Sequence, residues 1–221
     1  MFEYYYNNVP DKGLCRNNLV YTSLIDRKNN FFKIRYKTDQ LYHNGECLSQ
    51  DVLDKKWKKE LVFSVYNNTC LEIESIDIQK QEIVFYIEGD DFWQQANCNV
   101  ENYSKVVPDW EDQMLDILQS IRSQDFWKFS LHPSSYFIID GKLRTINHFF
   151  CYQDNEPNIP TTEVLDHISE DRKQKLFEYY NANNIDIHTK LPYTEYAKIC
   201  LESFRANYTD SFIDKAKEIY V

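Results

Sequence analysis

Residues 1–89 carry short runs of apolar and β-branched side chains, a pattern typical of strands. Four such runs are visible: residues 19–25, 31–36, 71–78 and 82–87. The polar residues 27–30 separate the first two and predict the turn of a hairpin. Between the two pairs of strands, residues 51–66 have apolar side chains at helical spacing. The pattern therefore predicts a small antiparallel sheet with one helix.

From residue 90 to residue 221 the pattern is mainly helical. Pro108 and Asp109 precede a long amphipathic segment, since proline and acidic residues suit a helix start. Asp140 and Gly141 predict the tight turn of a hairpin over residues 136–147. Further helices are predicted at 162–168, 169–181, 192–206 and 210–220, with Ser169 and Asp210 as N-caps. The expected fold class is α+β in two lobes, 1–89 and 90–221.

Composition narrows the functional classes. The 221 residues are 43% hydrophobic and 16% aromatic, which is typical of a folded chain. A formal net charge of −10 predicts no binding to nucleic acid or to an anionic membrane. No apolar run approaches the length of a membrane helix, and the N-terminus does not have the pattern of a signal peptide. We therefore expect a cytoplasmic protein.

Cysteine and glycine exclude several kinds of site. The six cysteines are dispersed without a C-x-x-C pair, so reduced thiols are expected and a structural metal is not. The four glycines stand singly, and no G-x-G-x-x-G or P-loop pattern can be formed from them. This excludes the usual dinucleotide-binding enzymes and P-loop NTPases.

One segment resembles a known catalytic loop. Leu131-His132-Pro133, followed by the predicted strand that begins Tyr136-Phe137-Ile138, resembles the H-G-D-L-H-P-x-N loop and following hairpin of the protein-kinase-like superfamily. The similarity is to its aminoglycoside phosphotransferase-like and atypical branch. It implies a two-lobed kinase-like fold, with an N-terminal sheet over a mainly helical lobe. His132 could carry a proton, but a structural role in fixing the loop is favoured.

The resemblance also implies a nucleotide site. Lys33 resembles the phosphate-pairing lysine of the third strand, and Glu60 resembles its partner on the helix. Glu88 follows a strand and stands at the hinge where adenine would lie. ATP is thus a possible ligand, with or without magnesium. The alternative is that Lys33 and Glu60 lie on solvated faces, with Lys37 competing for the lysine role.

Three departures from the family pattern affect the transfer chemistry. The catalytic aspartate falls on Ser130, the metal-binding asparagine on Ser135 and the metal-binding aspartate on Asn147. A serine hydroxyl cannot act as a carboxylate base near neutral pH, and it binds magnesium poorly. The glycine-rich loop that would cover phosphates is missing as well. The resemblance therefore points to a degenerate site.

The sequence leaves three functions open. The first is a catalytically impaired pseudokinase that acts by binding a nucleotide, an unidentified protein partner, or both. The second is an active atypical phosphotransferase on a small molecule or protein, using Lys33, Glu60 and Asn147 with a relocated base. The third is a structural or assembly protein that reuses the scaffold, since a fold does not establish a chemistry.

Overall fold

The fold is mixed α+β, with a small antiparallel sheet and several helices. It is seen in a computed structural model. The structure describes residues 2–3, 22–26, 29–35, 42–43, 46–47, 58, 61–62, 65, 67–80, 82–128, 131–145, 151–153, 174, 177–178, 180–184, 186 and 193–220.

Eleven short strands are present in the described part of the chain. They are β1 (Phe2–Glu3), β2 (Thr22–Asp26), β3 (Phe31–Arg35), β4 (Tyr42–His43), β5 (Glu46–Cys47), β6 (Ile73–Asp77), β7 (Glu82–Tyr86), β8 (Phe126–Lys128), β9 (Tyr136–Ile139), β10 (Lys142–Thr145) and β11 (Cys151–Gln153). Five of them form one antiparallel sheet in the order β1-β2-β3-β7-β6. The four predicted strands of the N-terminal region are therefore confirmed, with bounds shifted by a few residues.

The two predicted hairpin turns are confirmed. Of the predicted turn residues 27–30, the structure describes 29–30, which are in the turn between β2 and β3, and Asn30 has a φ of 56°. Asp140 and Gly141 join β9 to β10 with φ values of 51° and 72°. Positive φ at both central residues is what a tight two-residue hairpin turn requires. The hairpin is described to Thr145, so its predicted end at Asn147 lies outside the described residues.

The helices with described bounds all lie after residue 90. They are α1 (Phe92–Gln95), α2 (Tyr103–Val106), α3 (Trp110–Arg122), α4 (Tyr193–Ser203) and α5 (Asp210–Ile219), with single 3-10 turns at Val100–Asn102, Pro133–Ser135 and Arg205–Asn207. Residues 58, 61, 62 and 65 are helical within the predicted helix 51–66, as are residues 174, 177–178 and 180–181 within 169–181, and residue 182 is helical just beyond that range. The predicted helix 162–168 and Ser169 lie outside the described residues.

The predicted N-cap of the last helix was wrong by one residue. Thr209, and not Asp210, is the cap: its side-chain oxygen accepts a hydrogen bond from the backbone N–H of Phe212 at 3.1 Å. Asp210 is the first helical residue, where its carboxylate favours the positive end of the helix dipole. Thr209 and Asp210 both have side chains that can cap a helix, and the local backbone conformation decides which of them does so.

The largest core lies among the helices. Helix α3 buries Trp110, Met114, Ile117, Leu118 and Ile121, and it packs against α5, which buries Phe212, Ile213 and Ala216. Strands β8 and β11 pair beside this core. None of the described helices is long and apolar enough to cross a membrane.

Candidate functional site

The L-H-P loop is stabilised by its histidine. His132 is the N-cap of the Pro133–Ser135 turn: Nδ1 accepts a hydrogen bond from the Ser134 backbone N–H at 3.2 Å and lies 2.7 Å from the Ser134 hydroxyl. The rings of Trp93 and Phe204 contact the imidazole edge-on, at centroid distances of 5.5 and 5.8 Å. These contacts give His132 the structural role that the sequence favours.

Ser135, predicted at the position of a metal-binding asparagine, is fully buried. Its backbone N–H donates to the His132 carbonyl at 2.8 Å, and its carbonyl accepts from the Thr145 hydroxyl at 3.3 Å. Ser135 therefore connects the loop to strand β10. Ser130 and Asn147, the other two degenerate positions, lie outside the described residues. In the described part of the chain, no three His, Cys, Asp or Glu side chains form a group that could hold a metal ion.

Lys33 forms an ion pair within the sheet. Its Nζ lies 3.7 Å from Oε1 of Glu82 on the neighbouring strand β7. The lysine side chain is 25% exposed, and the glutamate side chain is 11% exposed. The predicted partner Glu60 lies outside the described residues, so the Lys33–Glu60 pair stays a prediction. The partner seen among the described residues comes from the sheet.

The neighbour of Lys33 occupies the other face of the sheet. Phe32 is fully buried, and its ring lies 6.2 Å from Phe85 and 6.0 Å from Phe137 of the hairpin, measured between centroids. Phe32, Phe85 and Phe137 are called the aromatic junction below. Successive side chains of a strand point to opposite faces, so Lys33 points away from the face on which the sheet meets the hairpin.

Glu88, predicted at an adenine-binding hinge, connects the segment after β7 to the hairpin turn. One carboxylate oxygen accepts from the Tyr86 hydroxyl at 3.2 Å, and the other accepts from the Asp140 backbone N–H at 3.3 Å. Burial, and then the contact with Glu88, raise the pKa of Tyr86. Gly89, with φ of +69°, follows directly and permits the change of chain direction.

Asp91 continues this connection. It is almost fully buried, and its carboxylate accepts from the Gln94 backbone N–H at 3.1 Å, capping α1. Asp91 and Phe137 also form an isolated antiparallel bridge. Residues 88–91 are therefore joined to the hairpin through both side-chain and backbone contacts.

Sequence reasoning missed the aromatic junction. The adjacent Phe31 and Phe32 made the strand pattern ambiguous, so no rule identified which one would face the hairpin. The sequence of β7 gives no signal either, since residues 83–86 are all apolar or aromatic; only the structure shows that Ile83 and Phe85 are buried and that Val84 between them is partly exposed. The antiparallel register Phe32–Phe85 then places Phe32 on the same buried face.

Comparison of this chain with protein-family models gives no match, and no curated protein shows significant similarity to it. The chain's geometry and its residue-level resemblance therefore carry the functional argument.

Proposed function

We propose that this chain is a kinase-like protein with an impaired transfer site, which acts by binding a protein partner. The order of its elements supports a two-lobed kinase-like relationship. An antiparallel sheet with helical residues between β3 and β6 is followed by a hinge, the helix α3, the L-H-P loop and a hairpin. This is the order that the resemblance implies.

The observation that carries the proposal is the contact between Phe32 and Phe137, with ring centroids 6.0 Å apart. The resemblance puts a nucleotide base beside the sheet and the hinge. On the face that meets the hairpin, the sheet already buries the aromatic junction. A base entering there would have to separate fully buried rings, which would expose much of the ~150–250 Å² that an aromatic side chain buries.

The polar groups near the loop favour the same conclusion. Ser135 is neutral and buried, and its hydroxyl, at the position of a metal-binding asparagine, binds magnesium poorly. Ser130, at the position of the catalytic aspartate, cannot act as a carboxylate base near neutral pH. Lys33 is engaged with Glu82 on the opposite face of the sheet. The expected phosphate-binding lysine is therefore paired with a glutamate, and the expected base is replaced by a serine in the sequence, which is why partner binding is preferred to phosphate transfer.

The proposal is tested by thermal melting of the full chain in millimolar ATP, with and without magnesium. A site of micromolar affinity would add about 4 kcal/mol to the free energy of unfolding and raise the melting temperature by several degrees. We expect no shift under either condition.

A transfer assay with labelled ATP and the chain itself as acceptor completes the test. Phosphate incorporation that disappears in Lys33→Ala or Asn147→Ala, but persists in the control Asn181→Ala, would contradict the proposal. Asn181 is exposed and lies outside the loop and the sheet, so its replacement tests for a general effect of substitution.

A further inference from the structure

Two basic side chains of the hairpin share one of its faces. Lys142 and Arg144 are two residues apart in β10, so their side chains lie on the same side of the strand. The residues opposite them in β9 are Ile139 and Phe137, which belong to the same face. These four residues are called the hairpin outer face below. Lys142 is exposed, Arg144 is half-buried, and Phe137 is fully buried in the contact with the sheet.

The two basic side chains have no counter-charge within the described ranges of the chain. Neither the Lys142 ammonium nor the Arg144 guanidinium forms a hydrogen bond or an ion pair there. The carboxylate of Glu88, at the turn end of the hairpin, is engaged by the Tyr86 hydroxyl and the Asp140 backbone N–H. Both cationic groups are therefore available to an anion that is not part of this region.

The half-buried guanidinium indicates which anion fits. Arg144 lies opposite a fully buried ring, so it has lost part of its hydration without gaining a carboxylate that would offset the cost. A guanidinium donates two parallel hydrogen bonds to a planar carboxylate, and partial burial strengthens their attraction. A carboxylate from outside would therefore gain more at Arg144 than at a fully exposed lysine.

The spacing of the two cations indicates the source of the carboxylates. Two residues along a strand advance the chain by roughly 7 Å. An extended segment with acidic residues two positions apart presents two carboxylates on one side at the same spacing. A free phosphate is a single ion and reaches both groups only if the two long side chains converge on it. The spacing therefore favours a segment of a protein over a free ion.

From these observations we infer that the hairpin outer face binds an extended acidic segment of a partner protein, with one carboxylate on Lys142 and the other on Arg144. The chain's net charge of −10 repels such a segment elsewhere, so binding is confined to places where basic groups are unpaired. This inference rests on the proposed partner-binding function and gives it a location and a chemistry.

The test is an NMR titration of the full chain with a pentapeptide of serine that has glutamate at positions 2 and 4. Both peptide termini are blocked, so the glutamates carry its only charges. We expect saturating changes in the amide chemical shifts of residues 142–144, with a Kd of about 1 mM or tighter. A peptide with adjacent glutamates has the same charge but points them to opposite sides, and it should bind at least about threefold more weakly.

Two variants locate the binding. Arg144→Gln should weaken it about tenfold, because it removes the bidentate pair. Lys142→Gln should weaken it about threefold, because it removes an exposed ion pair. Lys142 is exposed, so its replacement keeps the test decisive if Arg144→Gln unfolds the hairpin. Lys105→Gln makes the same charge change at an exposed position outside the hairpin and should leave the Kd unchanged.

Three results with the peptides would overturn the inference. They are the absence of saturation at about 10 mM peptide, equal binding of the two acidic peptides, and equal weakening by Lys142→Gln and Lys105→Gln. The second result would remove the role of spacing, and the third would reduce the effect to net charge.

Two further measurements test the other occupants. Inorganic phosphate at matched ionic strength should not reproduce the saturating shifts; if it does so at equal or lower concentration, the face binds a free ion. A chain dimer in sedimentation that Arg144→Gln dissociates would assign the face to a second copy, and we expect no such dimer. All these contrary results leave the impaired-transfer proposal standing, because that proposal fails only in the ATP experiments.

Discussion

The aromatic junction and the helical core are both buried, but they are stabilised differently. At the junction, Phe32 contacts Phe85 and Phe137, and all three side chains are fully buried and uncharged. In the helical core, aromatic rings also pack closely: Tyr208 lies 4.4 Å from Phe212 and 6.2 Å from Trp110 between centroids. What the helical core adds is a set of polar contacts at its surface.

Those polar contacts connect the last helix to its neighbours. Glu111 of α3 accepts from Lys215 and Ser211 of α5, both at 2.8 Å. Burial raises the pKa of Glu111, but the hydrogen bonds from Lys215, Ser211 and Thr209 together lower it below its ordinary value. Glu202 of α4 binds Arg205 through both carboxylate oxygens, at 2.8 and 3.0 Å, and also binds Lys217 of α5.

The two regions differ in whether their stability should depend on pH. The three side chains of the junction carry no titratable group, so their contribution to the free energy of unfolding should not depend on pH. For the same reason they offer no charged group that could bind a phosphate. The helical core combines apolar packing with ion pairs, so part of its stability should vary with pH. Substitutions in the two regions should therefore behave differently in size and in pH dependence.

The largest expected effect is at the junction. Phe137→Ala removes a fully buried ring and should lower the free energy of unfolding by about 3–5 kcal/mol, because it leaves a cavity between the sheet and the hairpin. Urea unfolding measures the change. Phe177→Ala, at a ring that is 40% exposed, is the control and should cost much less. A loss below about 1 kcal/mol for Phe137→Ala would show that the junction is not closely packed.

A smaller effect is expected where the helical core meets the L-H-P loop. The buried hydroxyl of Tyr208 donates to the Leu131 carbonyl, and burial raises the pKa of this tyrosine. Tyr208→Phe keeps the ring but leaves a buried carbonyl without this donor, which should cost about 1–3 kcal/mol. Tyr103→Phe, which removes the 2.9 Å bond to the Asn207 carbonyl, provides a matched comparison. An unchanged free energy of unfolding in Tyr208→Phe would show that this hydrogen bond does not stabilise the loop.

The smallest effect should depend on pH. Hydrogen bonds from Arg205, opposed by burial and reinforced by Lys217, lower the pKa of Glu202 to about 2. A carboxylate whose pKa is lowered on folding stabilises the fold above its unfolded pKa, and this contribution is lost as the pH falls through the folded pKa. Glu202→Gln should therefore cost under about 1 kcal/mol at neutral pH, with the difference vanishing between about pH 4.5 and pH 2.

Urea unfolding across this pH range checks the last prediction. Glu218→Gln is the control, because Glu218 is exposed and forms no ion pair among the described residues. A Glu202→Gln difference that stays constant down to pH 2, where the wild-type carboxylate becomes protonated, would show that the ion pairs are not its cause. The variant Phe137→Ala should show no such pH dependence, which is the sharpest contrast between the two regions.

The sequence by itself determined the local elements of this protein. Residues 31–36, the apolar stripe that begins at Trp110, and the Asp140-Gly141 turn each carry their signal within a few neighbouring residues. Strand alternation, helical spacing and positive φ are local properties, so they can be read without knowing what the element contacts. The resemblance favoured a structural role for His132, and the contact that supplies it is also local, since Nδ1 accepts a hydrogen bond from the backbone N–H of Ser134, two residues away.

Only the tertiary structure decided the partners. Lys33 pairs with Glu82 and Glu88 contacts Asp140, and both partners are distant in sequence. The sequence did not predict the pairing of β8 with β11 either, because three-residue strands carry little periodicity. Whether Phe31 or Phe32 faces the hairpin depends on the register between β3 and β7, which a strand pattern alone does not specify. Long-range register therefore determined which residues surround the candidate site.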